Sequence, residues 1–118
     1  MNAELQSILG SGIELSLGVI VPVDHIEYRG KSRRYVVWTI IDEQLALAAD
    51  DEALYDEVKV DIDIYSYNDY TDIISAIKAL MKKNEWTLCD TSPEMFDDST
   101  RLNHRTLTFA KERYNNGI

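Results

Sequence analysis

Residues 56–83 pass from an alternating pattern almost directly into an amphipathic one, and this junction constrains the fold more than any other part of the chain. In Val58-Lys59-Val60-Asp61-Ile62-Asp63-Ile64 the apolar residues take every second position. A pleated strand therefore places them on one face and Lys59, Asp61 and Asp63 on the other. A slip of one residue would bury the carboxylates, so the register is strongly set. After Ser66-Tyr67-Asn68, the residues Tyr70, Ile73, Ile74, Ile77, Leu80 and Met81 recur at intervals of three and four. That spacing gathers them on one side of a helix. An aliphatic strand face followed by an aliphatic helix face predicts that the two meet.

The remaining segments fit the same plan. Leu5, Ile8 and Leu9 suit an opening helix over residues 2–9 that Gly10 and Gly12 terminate, and 13–21 is rich in aliphatic residues before Pro22 stops it. Tyr28-Arg29-Gly30-Lys31-Ser32-Arg33-Arg34 reads as a turn, and Tyr35-Val36-Val37-Trp38-Thr39-Ile40-Ile41 as a central strand. Residues 42–57 are acidic, carry Leu and Ala, and show neither helical nor strand period, which predicts a long acidic hairpin loop. A strand over 56–65 follows. The helix over 69–83 has Asn68 or Asp69 to cap it, Asp72 in its first turn, Lys82 and Lys83 in its last, and Asn84 for a left-handed exit. Trp86-Thr87-Leu88-Cys89 is a short strand, 92–98 a connection, 101–111 a final strand, and 114–118 a frayed end. The pattern predicts one α+β domain over 1–118, with helices on one face of a mainly antiparallel sheet.

With 118 residues the chain can bury a real core. Its net charge of −9 argues against nonspecific binding to DNA or to an anionic membrane, which needs Lys and Arg to displace counterions. Cys89 is the single cysteine, which rules out an intrachain disulfide, and an intracellular site of assembly is the expectation. No basic segment followed by an apolar core opens the chain, and no apolar run is long enough to span a bilayer.

Asp61 and Asp63, with Asp50, Asp51 or Glu57, could gather a hard cation through oxygen ligands. Without a glycine-turned loop at calcium-site spacing, a solvated or interface sheet face is the better reading. His25, His104 and Cys89 are too scattered for a zinc site, and there is no phosphate loop and no nucleophile elbow. The expectation is a protein that is not an enzyme and uses no metal or other cofactor. Charge placement says more. Arg29, Lys31, Arg33 and Arg34 lie on one turn, and Asp42, Glu43, Asp50, Asp51, Glu52, Asp56 and Glu57 crowd the next connection. Opposite patches on one subunit favour head-to-tail contacts between copies, which close into rings or run on as filaments. An ordinary mixed surface accounts for the same charges equally well.

The wording of the segments also matters. Tyr35-Val36-Val37-Trp38, the acidic hairpin, Val60-Asp61-Ile62-Asp63-Ile64-Tyr65-Ser66, the amphipathic helix and Met95-Phe96-Asp97-Asp98-Ser99-Thr100-Arg101-Leu102-Asn103-His104-Arg105 follow in order. Together they resemble the tail completion, or tail terminator, proteins of long-tailed bacteriophages and prophages, over roughly 28–112. The resemblance rests on soft motifs, and the Leu- and Ala-bearing content of 42–57 departs from the usual loop. It implies a virion protein of the tail and neck, assembled in the host bacterial cytoplasm. Its expected form is a hexameric ring that stops tail-tube growth and meets the head connector. Its partners would be its own copies, the tail tube protein and a connector or head-closure protein, with DNA passing the lumen unbound. By the resemblance and the charge placement, Arg33, Arg34, Asp50, Asp51 and Glu52 are the expected intersubunit or tube-facing contacts, with Asp61 and Asp63 on the strand face added to them. Another neck or tube protein, or a small acidic inhibitor such as an immunity protein or DNA mimic, is the alternative.

Overall fold

The computed structural model describes residues 2–10, 12–15, 18–47 and 54–115. Its elements are α1 (Asn2–Leu9), β1 (Gly12–Glu14), β2 (Ile20–His25), β3 (Arg34–Leu47), β4 (Leu54–Ser66), α2 (Thr71–Lys83), β5 (Thr87–Thr91), β6 (Met95–Asp97) and β7 (Leu102–Asn115). The strands form one sheet in the order β1-β2-β3-β4-β7-β5, and β6 pairs with β7. Among the described residues only β2 and β3 run parallel; every other pairing is antiparallel. The α+β architecture is the one the periodicity predicts.

The junction that opens the sequence is also the centre of the core. Val58, Val60, Ile62 and Ile64 of β4 are buried on one sheet face beside Val36, Trp38, Leu107 and Phe109 of the flanking strands. Ile73, Ile77 and Met81 of α2, with Leu5 and Leu9 of α1, complete the same cluster. Each such side chain contributes about 1.5–3 kcal/mol on leaving water. Both helices therefore lie against one face, and among the described residues the opposite face of β3, β4 and β7 carries no helix.

Four features differ from the sequence expectation. The aliphatic run at 13–21 is divided between β1 and β2, and Pro22 lies within β2 rather than ending it. Ile20, Val21 and Pro22 pair with β1, while Val23, Asp24 and His25 pair with β3, so Pro22 is never flanked by strands on both sides and its missing N–H is tolerated as at an edge. Much of the expected hairpin loop is strand: pairing continues from Asp42↔Lys59 to Leu47↔Leu54, and β7 pairs with β4 as far as Leu54↔Asn115. The register shifts between Ile40 and Asp42, and beyond it the polar runs Asp42-Glu43-Gln44 and Asp56-Glu57 replace alternating apolar residues, so no strand period shows although the strands pair. Residues 48–53 lie outside the described residues. As part of the same extension, Tyr114 and Asn115 of β7 are paired strand rather than frayed, and 116–118 also lie outside the described residues.

The third difference is β6, read as connection but paired with 102–104 of β7 through a turn in which the Arg101 N–H donates to the Asp97 carbonyl at 2.7 Å. The fourth concerns the caps of α2. Tyr70 is the N-cap and makes no side-chain cap bond, while Asp69 accepts from the N–H and hydroxyl of Thr71 at 3.1 and 2.8 Å. At the other end Asn84 has φ −99°, and the left-handed residue is Glu85 at φ 69°.

The paired extension of β3, β4 and β7 makes the molecule long. Its extents are 52 × 29 × 23 Å and its radius of gyration 15.8 Å, against about 13.5 Å for a compact domain of this length. We expect Ile77→Ala to cost about 2–5 kcal/mol in urea denaturation, through the cavity it opens under β4, and Ser75→Ala, on the exposed side of α2, to stay within about 0.5 kcal/mol.

Candidate interaction surfaces

The uncovered sheet face is organised in rows across the strands. Tyr35, Tyr65 and His104 are direct register partners. Their rings stack with Tyr28 in a ladder, with centroid separations of 4.2 Å (Tyr28–Tyr35), 4.8 Å (Tyr35–Tyr65) and 4.2 Å (Tyr65–His104). These separations match the roughly 4.8 Å spacing of strands, so the rings stand off the sheet and use their faces on one another. Such a ladder is not a flat platform for nucleic-acid bases. Burial pushes the Tyr65 hydroxyl up to about 12, helped by the negative charge of Asp63, and burial followed by the charge of Asp97 raises that of Tyr35.

The next rows hold Asp63 and Asp61. Asp63 Oδ1 lies 2.9 Å from His104 Nε2 and accepts from the Thr106 hydroxyl at 2.6 Å. Asp61 Oδ1 accepts from the Thr108 hydroxyl at 2.6 Å. Alternation on β4 meets alternation on β7, so each carboxylate faces a hydroxyl one strand away. Both are half-buried and engaged within the sheet. No group of three or more His, Cys, Asp or Glu among the described residues is placed to hold a metal ion.

The basic residues of the turn separate in role. Arg34 Nη2 donates to Asp72 Oδ1 at 2.6 Å and to the Asp69 carbonyl at 3.3 Å, and its Nε donates to the hydroxyl of the fully buried Ser66 at 3.2 Å. It clamps the start of β3 to the end of β4 and the start of α2. Arg34 is therefore a structural tie, where the sequence suggested an outward contact. Arg33 is exposed, its carbonyl accepts from the Tyr67 N–H at 3.0 Å, and its side chain makes no ion pair among the described residues. Asp50, Asp51 and Glu52 lie outside the described residues.

The described ends of the β3–β4 ladder are far apart. Arg34 pairs with Ser66 at one end of the β3–β4 ladder, and Leu47 pairs with Leu54 at the other. Thirteen residue steps of extended strand span about 43 Å.

A groove that sequence reasoning missed lies between α2 and the edge strand β5. It is lined by Lys78, Lys82, Trp86, Thr87, Leu88 and Phe109 and has a volume of about 340 Å³. Trp86 is buried and its indole N–H has no partner among the described residues. Lys111 Nζ sits 5.9 Å from the indole ring centroid and donates to the Asn84 carbonyl at 3.0 Å. The signal was present as Lys78 and Lys82 one helical turn apart on α2, but only the fold brings Phe109 beneath them.

In comparisons with known proteins, no family model and no curated protein matches the chain.

Two measurements test the open face. Asp63→Ala leaves His104 and the Thr106 hydroxyl without their shared acceptor, and should cost about 1–3 kcal/mol in urea denaturation. Tyr65 favours its neutral form in the fold, so its stabilisation is complete below the ordinary tyrosine value near 10 and is lost as pH rises toward 12. Denaturation midpoints should therefore fall across that window, and Tyr65→Phe should flatten the fall.

Proposed function

We propose that the protein is a structural subunit of a long-tailed phage or prophage, a tail completion or terminator protein that caps the tail tube as a ring and forms the head-tail joining interface. In this reading it is not an enzyme, needs no cofactor, and acts through copies of itself, the tube protein and a head connector. DNA passes the lumen without specific contact, kept mobile by the acidic balance of the chain.

The observation that carries the proposal is the long sheet. It holds the ends of the β3–β4 ladder about 43 Å apart; Arg29 and Arg34 are already paired with Glu27 and Asp72, so the remaining turn cations, Lys31 and Arg33, and the carboxylates joined to the Leu47↔Leu54 end cannot neutralise each other within one chain. They can do so between copies, and such head-to-tail contacts are heterologous and close into a ring when the rotation permits. A DNA-mimicking inhibitor is supported less well, because Asp61 and Asp63 accept hydrogen bonds from Thr108, Thr106 and His104 and are not free to stand in for phosphates.

Light scattering across a concentration series should give a discrete hexamer whose formation weakens as salt rises. Open-ended growth would favour a tube subunit. A monomer at every concentration that also leaves purified tail tubes uncapped would overturn the proposal.

A further inference from the structure

We infer that the groove between α2 and β5 receives the acidic hairpin tip, residues 47–54, of a second copy of the chain. The inference rests on the self-association in the preceding reading and names the surfaces that would meet. Lys78 and Lys82 rim the groove one helical turn apart, both are exposed, and neither has an ion pair among the described residues. In a chain of net charge −9, two adjacent ammonium groups without a carboxylate are a marked local excess of positive charge. Between them and the sheet edge lie Trp86, Leu88 and Phe109, and the volume of about 340 Å³ accommodates aliphatic side chains.

The complementary chemistry is in the chain's own sequence. Leu47-Ala48-Ala49-Asp50-Asp51-Glu52-Ala53-Leu54 places three carboxylates between two leucines. A leucine in the apolar cleft with carboxylates at Lys78 and Lys82 satisfies both components at once. Arg33, the exposed cation at the far end of β3, offers charge on a turn but is not among the groove-lining residues.

The occupant cannot be the same chain's tip. Phe109 sits opposite Val60 in the β4–β7 ladder, and the tip begins where Leu54 pairs with Leu47 and Asn115. Six residues of paired strand put it about 20 Å from the groove, on a ladder bonded on both sides of β4. No residue of 48–53 is more than three residues from Leu47 or Leu54, about 10 Å of extended chain, which falls short of the groove. One contact of this kind uses different surfaces on the two copies, so every copy can both give and receive.

The test uses the whole chain. Equal amounts of ¹⁴N- and ¹⁵N-labelled protein are treated with a zero-length carbodiimide, which joins an amine to a carboxylate it touches. Mixed-label peptides should link Lys78 or Lys82 to Asp50, Asp51 or Glu52. In sedimentation, Lys78→Glu with Lys82→Glu should weaken self-association about tenfold, as should Asp50→Lys with Asp51→Lys, since each replaces attraction with like-charge repulsion. The four substitutions together should restore it to within about threefold. Thermal unfolding of each variant checks that the fold is kept, which exposed positions favour. An oligomer whose mixed-label links fall elsewhere, or that the lysine reversals leave intact, overturns this inference and leaves the ring reading standing. A chain that neither associates nor yields mixed-label peptides overturns both.

Discussion

The burial of one face of β4 under α2 is the interaction on which the rest depends. Val58, Val60, Ile62 and Ile64 reach full or nearly full burial only because Ile73, Ile77 and Met81 arrive from the adjacent helix. Once that face is fixed, the pleat leaves Lys59, Asp61, Asp63 and Tyr65 on the other. The uncovered face and its rows of paired polar groups follow from the same register that makes the core. Arg34 holds this arrangement at the corner, binding Ser66, Asp69 and Asp72 where strand turns into helix.

The second consequence is mechanical. Three central strands paired along their length form a stiff plate, and the helices cover part of it. What extends beyond the helices is held by strand pairing. The open face holds its own polar groups, with carboxylates on hydroxyls and rings on rings.

Much of the fold was legible in the residues. The alternation over 58–64 gave the face and register of β4, and the spacing of Ile73, Ile77 and Met81 gave the buried side of α2. Strand bounds were read less well, for identifiable reasons. The polar runs Asp42-Glu43-Gln44 and Asp56-Glu57 disguised continuing strands as a loop, and Pro22 reads as a terminator because its place outside any two-sided pairing is a matter of sheet order. The groove was not legible, because Trp86, Leu88 and Phe109 come from a loop and two strands that only the sheet brings together. Arg33 and Arg34 are neighbours of one residue type, yet one is exposed and the other is a tie across three elements.

The sequence by itself determined which side of each element is apolar, because the periods of strand and helix are properties of the backbone and show wherever they are unbroken. It also determined the charge of the chain and its concentration near the hairpin. Only the tertiary structure decided the length of the hairpin, the partners of Asp61, Asp63 and Arg34, and the meeting of α2 with β5. Each depends on which strand lies beside which, and that is set by contacts between residues far apart in the chain.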